Sequence, residues 1–340
     1  MNVVSNFLLK AITSTAVGGR ASRYVEVKKE SELERAVQYA ESRKLNKFII
    51  GDATNIIPAD EGFDGLIIRN QIKKFEASGD IIFLGAGNSL LKNILKLNKL
   101  GRGGFEKMAG IPGTVGGAVY GCAGAYGQEI KDRLLRVKIF DPASFWRKSQ
   151  SDKAKSQRHK RRGADTKKQR FKWLTNKQCE FSYRDSIFKK HKDWIIVGAE
   201  FRTVRTDSRR LQKISAEVME LRSRKYPPSL KCPGSFFKNI LIDSIKPAFL
   251  RRKLLAQIKS GPVRNIISNG ANKIPAAYFL EQVGAKGMKF GQIAVADYHA
   301  NLIYNAGGGK AEDIKKLAVF LKTAVRKKFG VELEEEVQYL

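Results

Sequence analysis

The sequence predicts an α+β protein of more than one domain, and three observations carry that expectation. Helical and strand-like periodicities alternate along the chain up to Thr206. The character changes there, toward longer helical stripes with a separate strand between them. A basic segment without apolar periodicity interrupts the first part. At 340 residues the chain can build more than one hydrophobic core.

The elements follow in order. MNVVSNFLLKAITSTAVGGR lacks acids, and Lys10 breaks its apolar run. No small-residue cleavage site follows, so it reads as a first strand rather than a targeting peptide. In SELERAVQYAESRKL, Ser31 and Glu34 have the spacing of a capping box. Leu33, Ala36, Val37 and Ala40 then form one apolar helical stripe. Phe48–Ile50 suits a buried strand entering the loop GDATNIIPADEGFDG, and LIIR and IIFLGAG read as further strands. SLLKNILKLNKLG is a helix capped by Ser89 and stopped by Gly101. After a glycine-rich stretch, RVKIFD is a strand leading into the basic segment, and FKWLTNKQCEFSYRDSIF and DWIIVGAEFR resume the structured core.

Beyond Thr206, Leu211, Ile214, Val218 and Leu221 mark an amphipathic helix ended by Pro227–Pro228. CPGSFFKN is a loop, KIPAAYFLEQVGAKG a short helix with a glycine stop, and HANLIYN a strand. In the last helix Glu312 and Asp313 occupy the first turn, Arg326, Lys327 and Lys328 the last, with Gly330 beyond; both ends suit the helix dipole. VELEEEVQYL reads as a short closing strand.

Composition narrows the function classes. No run approaches the ~18 apolar residues of a membrane span, so no membrane partner is expected. Cys122, Cys179 and Cys232 form no CxxC pair, and His159, His191 and His299 are scattered. That pattern fits a reducing cytoplasm and no metal. The formal net charge is +31. Much of it lies between Arg147 and Lys172, where only Asp152 and Asp165 oppose the cations. This insertion, about residues 145–172, reads as disordered: a solvated variable loop, or an arm that touches RNA or another anionic surface. It lacks aromatic interleaving and any recognised motif, which leaves nucleic acid a weak alternative partner.

One stretch is neutral in this basic chain. AGIPGTVGGAVYGCAGAYG, Ala109–Gly127, is more than half glycine and alanine. Glycine admits positive φ and lets backbone amides approach a ligand. Nests of such amides bind phosphate oxygens without a cationic side chain. The stretch is therefore either a diphosphate cradle or a place where loops pack tightly on helices. It is not the GxGxxG strand–turn–helix fingerprint. A second small-residue loop, Gly51, Asp52, Ala53, Thr54 and Asn55, also follows a strand. Two such loops suit a dinucleotide held between subdomains.

GDATNIIPADEGFDGLIIR, MAGIPGTVGGAVYGCAGAYG, CEFSYRDSIFK, PGSFFKN, HANLIYNAGGGKAEDI and FGVELEEEV come in the order found in UDP-N-acetylenolpyruvoylglucosamine reductases, the MurB family. The chain resembles that family everywhere except the basic insertion and Leu241–Asn272. With no tyrosine-bearing insertion between Thr206 and Ser229, it resembles the shorter of the two types. The resemblance implies an FAD-binding unit of the vanillyl-alcohol-oxidase (PCMH) type in two subdomains, residues 1–73 and 74–205. It further implies an α+β substrate domain over 206–325 and a tail over 326–340 that carries a catalytic glutamate. FAD would be bound non-covalently and reduced by NADPH. The substrate would be UDP-N-acetylglucosamine enolpyruvate, reduced to UDP-N-acetylmuramate in peptidoglycan precursor synthesis. The expected cofactor-binding residues are Gly51, Asp52, Ala53, Thr54 and Asn55, then Ala109, Gly110, Ile111, Pro112, Gly113, Thr114, Gly116, Gly117, Gly124 and Ala125.

Three positions match the family's catalytic ones: Arg184, Ser235 and Glu336, the last with Glu334 and Glu335 as neighbouring candidates. Hydride addition to an enol ether puts negative charge on the carbon beside a carboxylate. A guanidinium can pair that carboxylate in a fork and stabilise the charge. The resemblance gives this role to Arg184, whose competing reading is a salt bridge with Asp185. It makes Ser235 the proton donor to the intermediate, against a loop-capping role. Glu336 would orient or polarise the substrate, against one exposed charge in an acidic tail. Tyr183, Lys238 and Asn239 complete the expected substrate-binding set, Tyr183 by packing and Lys238 alternatively as an exposed lysine. The chain departs from the family pattern in GDATN, in Gly121-Cys122 for the usual Met-Asn, in Ile240 for the usual proline, and in the insertion. The remaining alternative is another FAD-dependent oxidase or dehydrogenase of the same fold, which would not need Arg184, Ser235 and the glutamate together.

Overall fold

Residues 1–142, 170–258 and 272–340 are described by a computed structural model. The basic insertion lies outside the described residues except at its end, where Lys172 pairs with Asp141 at 2.6 Å. The contact pattern divides the chain into two units. One takes in Met1–Ser5, Arg23–Asp52 and Asp64–Ser223; the other takes in Asn6–Ser22, Ala53–Phe63 and Arg224–Leu340.

In the first unit the helix Glu30–Ser42 buries Leu33, Ala36, Val37 and Ala40, the stripe the sequence predicts. They pack against Val25, Val27, Leu66 and Ile68. The strands beneath run in the order Val3–Leu8, Arg20–Val27, Phe63–Asn70, Lys47–Ile50, and the last pair is parallel with Lys47 opposite Leu66. The expected capping box does not form. The helix begins at Glu30, one residue before Ser31. Glu32 reaches back instead, and its carboxylate accepts the Lys28 amide at 2.7 Å.

A second sheet is antiparallel, in the order Phe171–Thr175, Leu134–Phe140, Ile195–Arg202, Ile81–Gly85, Phe75–Ser78. The helix Leu90–Lys99 lays Leu90, Ile94 and Leu97 into the same core as Val137, Ile139, Ala199 and Phe201. Ser89 caps it as expected, and Gly101 follows in the left-handed region at φ 65°. The helix Ser208–Lys225 contributes Val218 to this core. Leu221, expected on its apolar stripe, is 54% exposed. The buried positions Leu211, Ser215 and Val218 continue at helical spacing to Arg222 rather than Leu221. The Arg222 stem fills the space beside Gly110, where a β-carbon would come within 2.9 Å of Arg222 Cδ.

The second unit is built on the antiparallel strands Lys289–Phe290, Ile293–Ala296 and His299–Asn305, and on the helices Ala276–Gln282 and Ala311–Phe329. Phe236, Phe237, Phe279, Ile303, Leu317 and Leu321 are fully buried in its core. Asp60 caps the long helix, its carboxylate accepting the amides of Ala311 and Glu312 at 2.9 Å each. Gly330 ends that helix at φ 70°. The chain's last strand, Gln338–Tyr339, pairs in parallel with Ile56–Ile57.

Candidate active site

The glycine-rich stretch is a turn followed by one short helix, Val115–Tyr120. Gly110 and Gly113 have φ of 84° and 97°, where a side chain is strained. The backbone amides from Gly113 to Gly117 divide into two groups. Those of Val115 and Gly116 donate to Asn88 and Ala86 carbonyls at 2.8 and 2.9 Å, and that of Gly117 donates to Thr114 Oγ1 at 3.2 Å. Gly116 is therefore small for packing, since a β-carbon there would lie 2.9 Å from Ala86 Cβ. Among the described residues no acceptor takes the amides of Gly113 and Thr114. Thr114 is itself buried. Open amides of this kind can bind phosphate oxygens, so the stretch fits a phosphate-bearing cofactor.

The other small-residue loop meets this one at Gly51. A β-carbon on Gly51 would lie 2.3 Å from Thr114 Oγ1. Asp52 is held by Arg69 at 3.0 Å and Gln71 at 3.2 Å, which fixes the loop's first turn. Ala53 is left-handed at φ 50°. In the second unit the Thr54 carbonyl accepts Ser14 Oγ at 2.8 Å, and Asn55 Nδ2 donates to the Glu336 carbonyl at 2.9 Å. Asn55 thus ties the loop to the tail.

Arg184 sits in a tight turn closed by reciprocal backbone bonds between Ser182 and Asp185, 3.2 Å each. Its φ is 55°, a conformation that costs a non-glycine residue about 1–2 kcal/mol. Such strain persists where the surroundings over-determine it. Here Lys189 Nζ donates to the Arg184 carbonyl at 2.5 Å, and Ser186 Oγ to the Tyr120 carbonyl at 2.6 Å. The guanidinium donates to the Gly124 carbonyl at 2.8 Å and the Cys122 carbonyl at 3.3 Å. Its Cζ lies 5.3 Å from the Tyr183 ring centroid. The structure thus brings Arg184 and Tyr183 to the end of the glycine-rich stretch. The last turn of that stretch, Gly124–Ala125, pairs with Gln128–Glu129. Burial pushes the Cys122 thiol up to about 11, so it is a packing group there.

Ser235 follows Gly234, which is left-handed at φ 94°. Its loop runs between the strand His299–Asn305 and the tail. Phe236 donates to the Asn301 carbonyl at 3.0 Å, and Glu336 donates to the Phe236 carbonyl at 2.8 Å. Phe237 bridges to Glu335 across the tail, and the Lys238 amide donates to the Glu334 carbonyl at 2.8 Å. This register sets Glu336 beside the residue that follows Ser235. It also separates the three tail glutamates. Glu334 is ion-paired with Lys238, and Glu335 with Lys322 at 3.2 Å. Lys238 and Asn239 both have structural partners: Asn239 Oδ1 accepts the Ala276 amide at 3.2 Å, at the start of its helix.

Two residues were missed by sequence reasoning. Asn301 is 3% exposed, and its carboxamide bonds both the amide and the carbonyl of Phe237 at 2.8 Å each. Its signal was a polar residue alternating with apolar ones inside HANLIYN. Tyr226, one residue past the helix Ser208–Lys225, lies 2.7 Å from Ser235 Oγ through its hydroxyl. Pro227–Pro228 fixes where that helix stops and so where Tyr226 stands.

Comparison with known proteins places this geometry. Residues 226–340 match the model of the UDP-N-acetylenolpyruvoylglucosamine reductase C-terminal domain, and residues 21–144 match an FAD binding domain. A UDP-N-acetylenolpyruvoylglucosamine reductase of Solibacter usitatus is 40% identical over 98% of this chain and 95% of its own length. One from Carboxydothermus hydrogenoformans is 32% identical over 99% and 94%. The crystal structure of the Thermus caldophilus reductase (MurB) shares the fold, with a TM-score of 0.69 at 24% identity, covering 99% of this chain and 98% of that one. The α+β class, with an FAD-binding unit and a separate C-terminal domain, is borne out. Among the described residues no helix is long and apolar enough to cross a membrane. An FAD-binding unit, a C-terminal domain of reductase type and full-length kinship at 40% identity together make the chain an FAD-dependent oxidoreductase that belongs to the UDP-N-acetylenolpyruvoylglucosamine reductase (MurB) family.

Proposed function

We propose that this chain reduces UDP-N-acetylglucosamine enolpyruvate to UDP-N-acetylmuramate in the cytoplasm, with NADPH as reductant, as a step of peptidoglycan precursor synthesis. The observation that carries the reading is the register that sets Glu336 beside the Ser235 loop, with Glu334 and Glu335 held by lysines. A related oxidase would have no use for that pairing.

The open amides of Gly113 and Thr114 would hold the diphosphate of FAD, with Gly51, Asp52, Ala53, Thr54 and Asn55 as the second loop against it. FAD held there would supply the two-electron redox chemistry that the reduction needs. Arg184, aimed by two carbonyls, pairs the substrate carboxylate and stabilises charge on the adjacent carbon. Ser235 then gives its proton to that carbon, and general acid help of this kind contributes ~10²–10⁴-fold. Glu336 orients the enolpyruvyl group. Tyr183, Lys238 and Asn239 line the sugar-nucleotide side, Lys238 exchanging Glu334 for a substrate oxygen.

The test is anaerobic and visible. The purified protein is expected to be yellow, to bleach with NADPH, and to recover its colour on addition of UDP-N-acetylglucosamine enolpyruvate. A bleached protein that the sugar nucleotide fails to re-oxidise would refute the reading.

A further inference from the structure

An aliphatic hydroxyl is a weak acid. It gives up its proton far less readily than a phenol, which ionises near 10. Ser235 alone would be left as an alkoxide after protonating a carbon. The structure supplies a better place for that charge. Tyr226 Oη lies 2.7 Å from Ser235 Oγ, and either oxygen can donate in this bond. When the phenol donates, the serine proton is released from the pair and is free for another acceptor. Tyr226 is also supported for carrying charge. Lys225 Nζ lies 5.5 Å from its ring centroid. On another side the buried His299 ring meets it edge to face, with centroids 5.9 Å apart. Burial holds that imidazole neutral at ordinary pH, so it neither competes as a cation nor supplies the proton itself.

We propose that Tyr226 is a second proton donor standing behind Ser235: as Ser235 Oγ–H breaks to form the new C–H bond, Tyr226 Oη–H breaks to restore Ser235 Oγ–H. The electron pair of the substrate carbanion becomes the C–H bond. The negative charge ends on the Tyr226 phenolate, which regains its proton from water. This rests on the reductase reading above and deepens it, since Tyr226 acts on substrate only through Ser235 and is a positioning and proton-supplying residue.

The experiment uses the holoenzyme, reduced anaerobically with NADPH and mixed with UDP-N-acetylglucosamine enolpyruvate while flavin absorbance is followed in mixtures of light and heavy water. Wild type is expected to show a curved dependence on the deuterium fraction, with two protons in flight. Tyr226→Phe is expected to re-oxidise ~10²-fold more slowly with a linear, one-proton dependence, at the low end of general acid effects. Flavin content, reduction by NADPH and half-saturating substrate should stay near wild type. Placing 3-fluorotyrosine at 226 should restore the curved dependence. A Phe variant within twofold of wild type, with the curvature kept, would overturn the proposal. So would equal slowing of both half-reactions, which would assign Tyr226 to packing. If wild type itself is not re-oxidised by the sugar nucleotide, the reductase reading fails rather than the role of Tyr226 within it.

Discussion

Asn301→Ala tests how the Ser235 loop is held. The Asn301 carboxamide satisfies both polar groups of Phe237, a residue 1% exposed, through two bonds of 2.8 Å. Truncation leaves a buried N–H and a buried C=O without partners. Each such group costs about 1–3 kcal/mol, so with some local relaxation the loss is about 2–5 kcal/mol. For a unit of this size that corresponds to roughly 4–20 °C in Tm, at about 2–4 °C per kcal/mol. Asn301→Asp keeps an acceptor for the Phe237 amide but sets a carboxylate oxygen against its carbonyl. At neutral pH it should be at least as destabilised, because a buried charge is left unpaired. Thermal unfolding by circular dichroism reads the stability, and anaerobic re-oxidation of the reduced flavin reads the position of Ser235. A shift of about 1 Å in that loop would slow re-oxidation ~10²-fold. If Asn301→Ala unfolded at the wild-type temperature, Phe237 would have other partners and this account of the loop would be wrong.

Three further outcomes are expected. Ser235→Ala should keep flavin reduction by NADPH and slow re-oxidation by the sugar nucleotide ~10²–10⁴-fold; an undiminished second half-reaction would remove Ser235 as the donor. Gly51→Ala would put a β-carbon 2.3 Å from Thr114 Oγ1 and disturb the turn with the open amides. The variant should purify with less flavin per chain, and Thr114→Gly in the same chain should recover part of it, whereas full flavin loading of Gly51→Ala would show that the two loops need not touch. His299 gives a pH dependence. Burial, aided by Lys225 and Lys286, pushes its imidazole from 6.5 down to about 4. The unfolded chain binds this proton near pH 6.5 and the folded chain near 4, so the contribution is complete above 6.5 and is lost as pH falls to 4. Its size is at most about 3 kcal/mol. Urea midpoints of wild type and His299→Gln at pH 7 and pH 5 check it: the wild type should lose more on acidification, and equal losses would contradict a buried neutral imidazole.

What was legible in the sequence was local. Leu33, Ala36, Val37 and Ala40 share a face because helical spacing puts them there, and the glycines at 101 and 330 end helices because they accept positive φ. Motif resemblance proposes Arg184, Ser235 and Glu336 without any contact being known. The misses arose where a distant partner decides. Ser31 and Glu34 have capping spacing, yet the Glu32 carboxylate took the Lys28 amide and the helix began at Glu30, before Ser31 could cap it. Gly116 and Gly117 looked like ligand donors until Ala86 and Thr114 claimed their amides. The change of character at Thr206 marks a helix whose Val218 packs into the first unit's core, which sequence spacing does not reveal. Asn301 and Tyr226 are 66 and 9 residues from Ser235 in sequence (301 − 235; 235 − 226), and nothing in their immediate neighbours names the loop as their partner.

The two side chains proposed to act on the substrate share one design. Arg184 and Ser235 each stand next to, or in, a left-handed backbone position, at φ 55° for Arg184 and 94° for Gly234. The positive φ strains the backbone at Arg184, whereas Gly234 adopts it freely. Each is held by bonds to backbone carbonyls and amides from far along the chain: Tyr120, Cys122 and Gly124 for the arginine turn, Asn301 and the glutamate tail for the serine loop. Such fixing supplies orientation before substrate arrives, so less ordering remains to be done at the moment of reaction. It also explains why a chain with net charge +31 keeps its glycine-rich stretch neutral. A lysine there would compete for the carbonyls that aim Arg184, and a β-carbon at Gly113 would strain the turn that leaves two amides open.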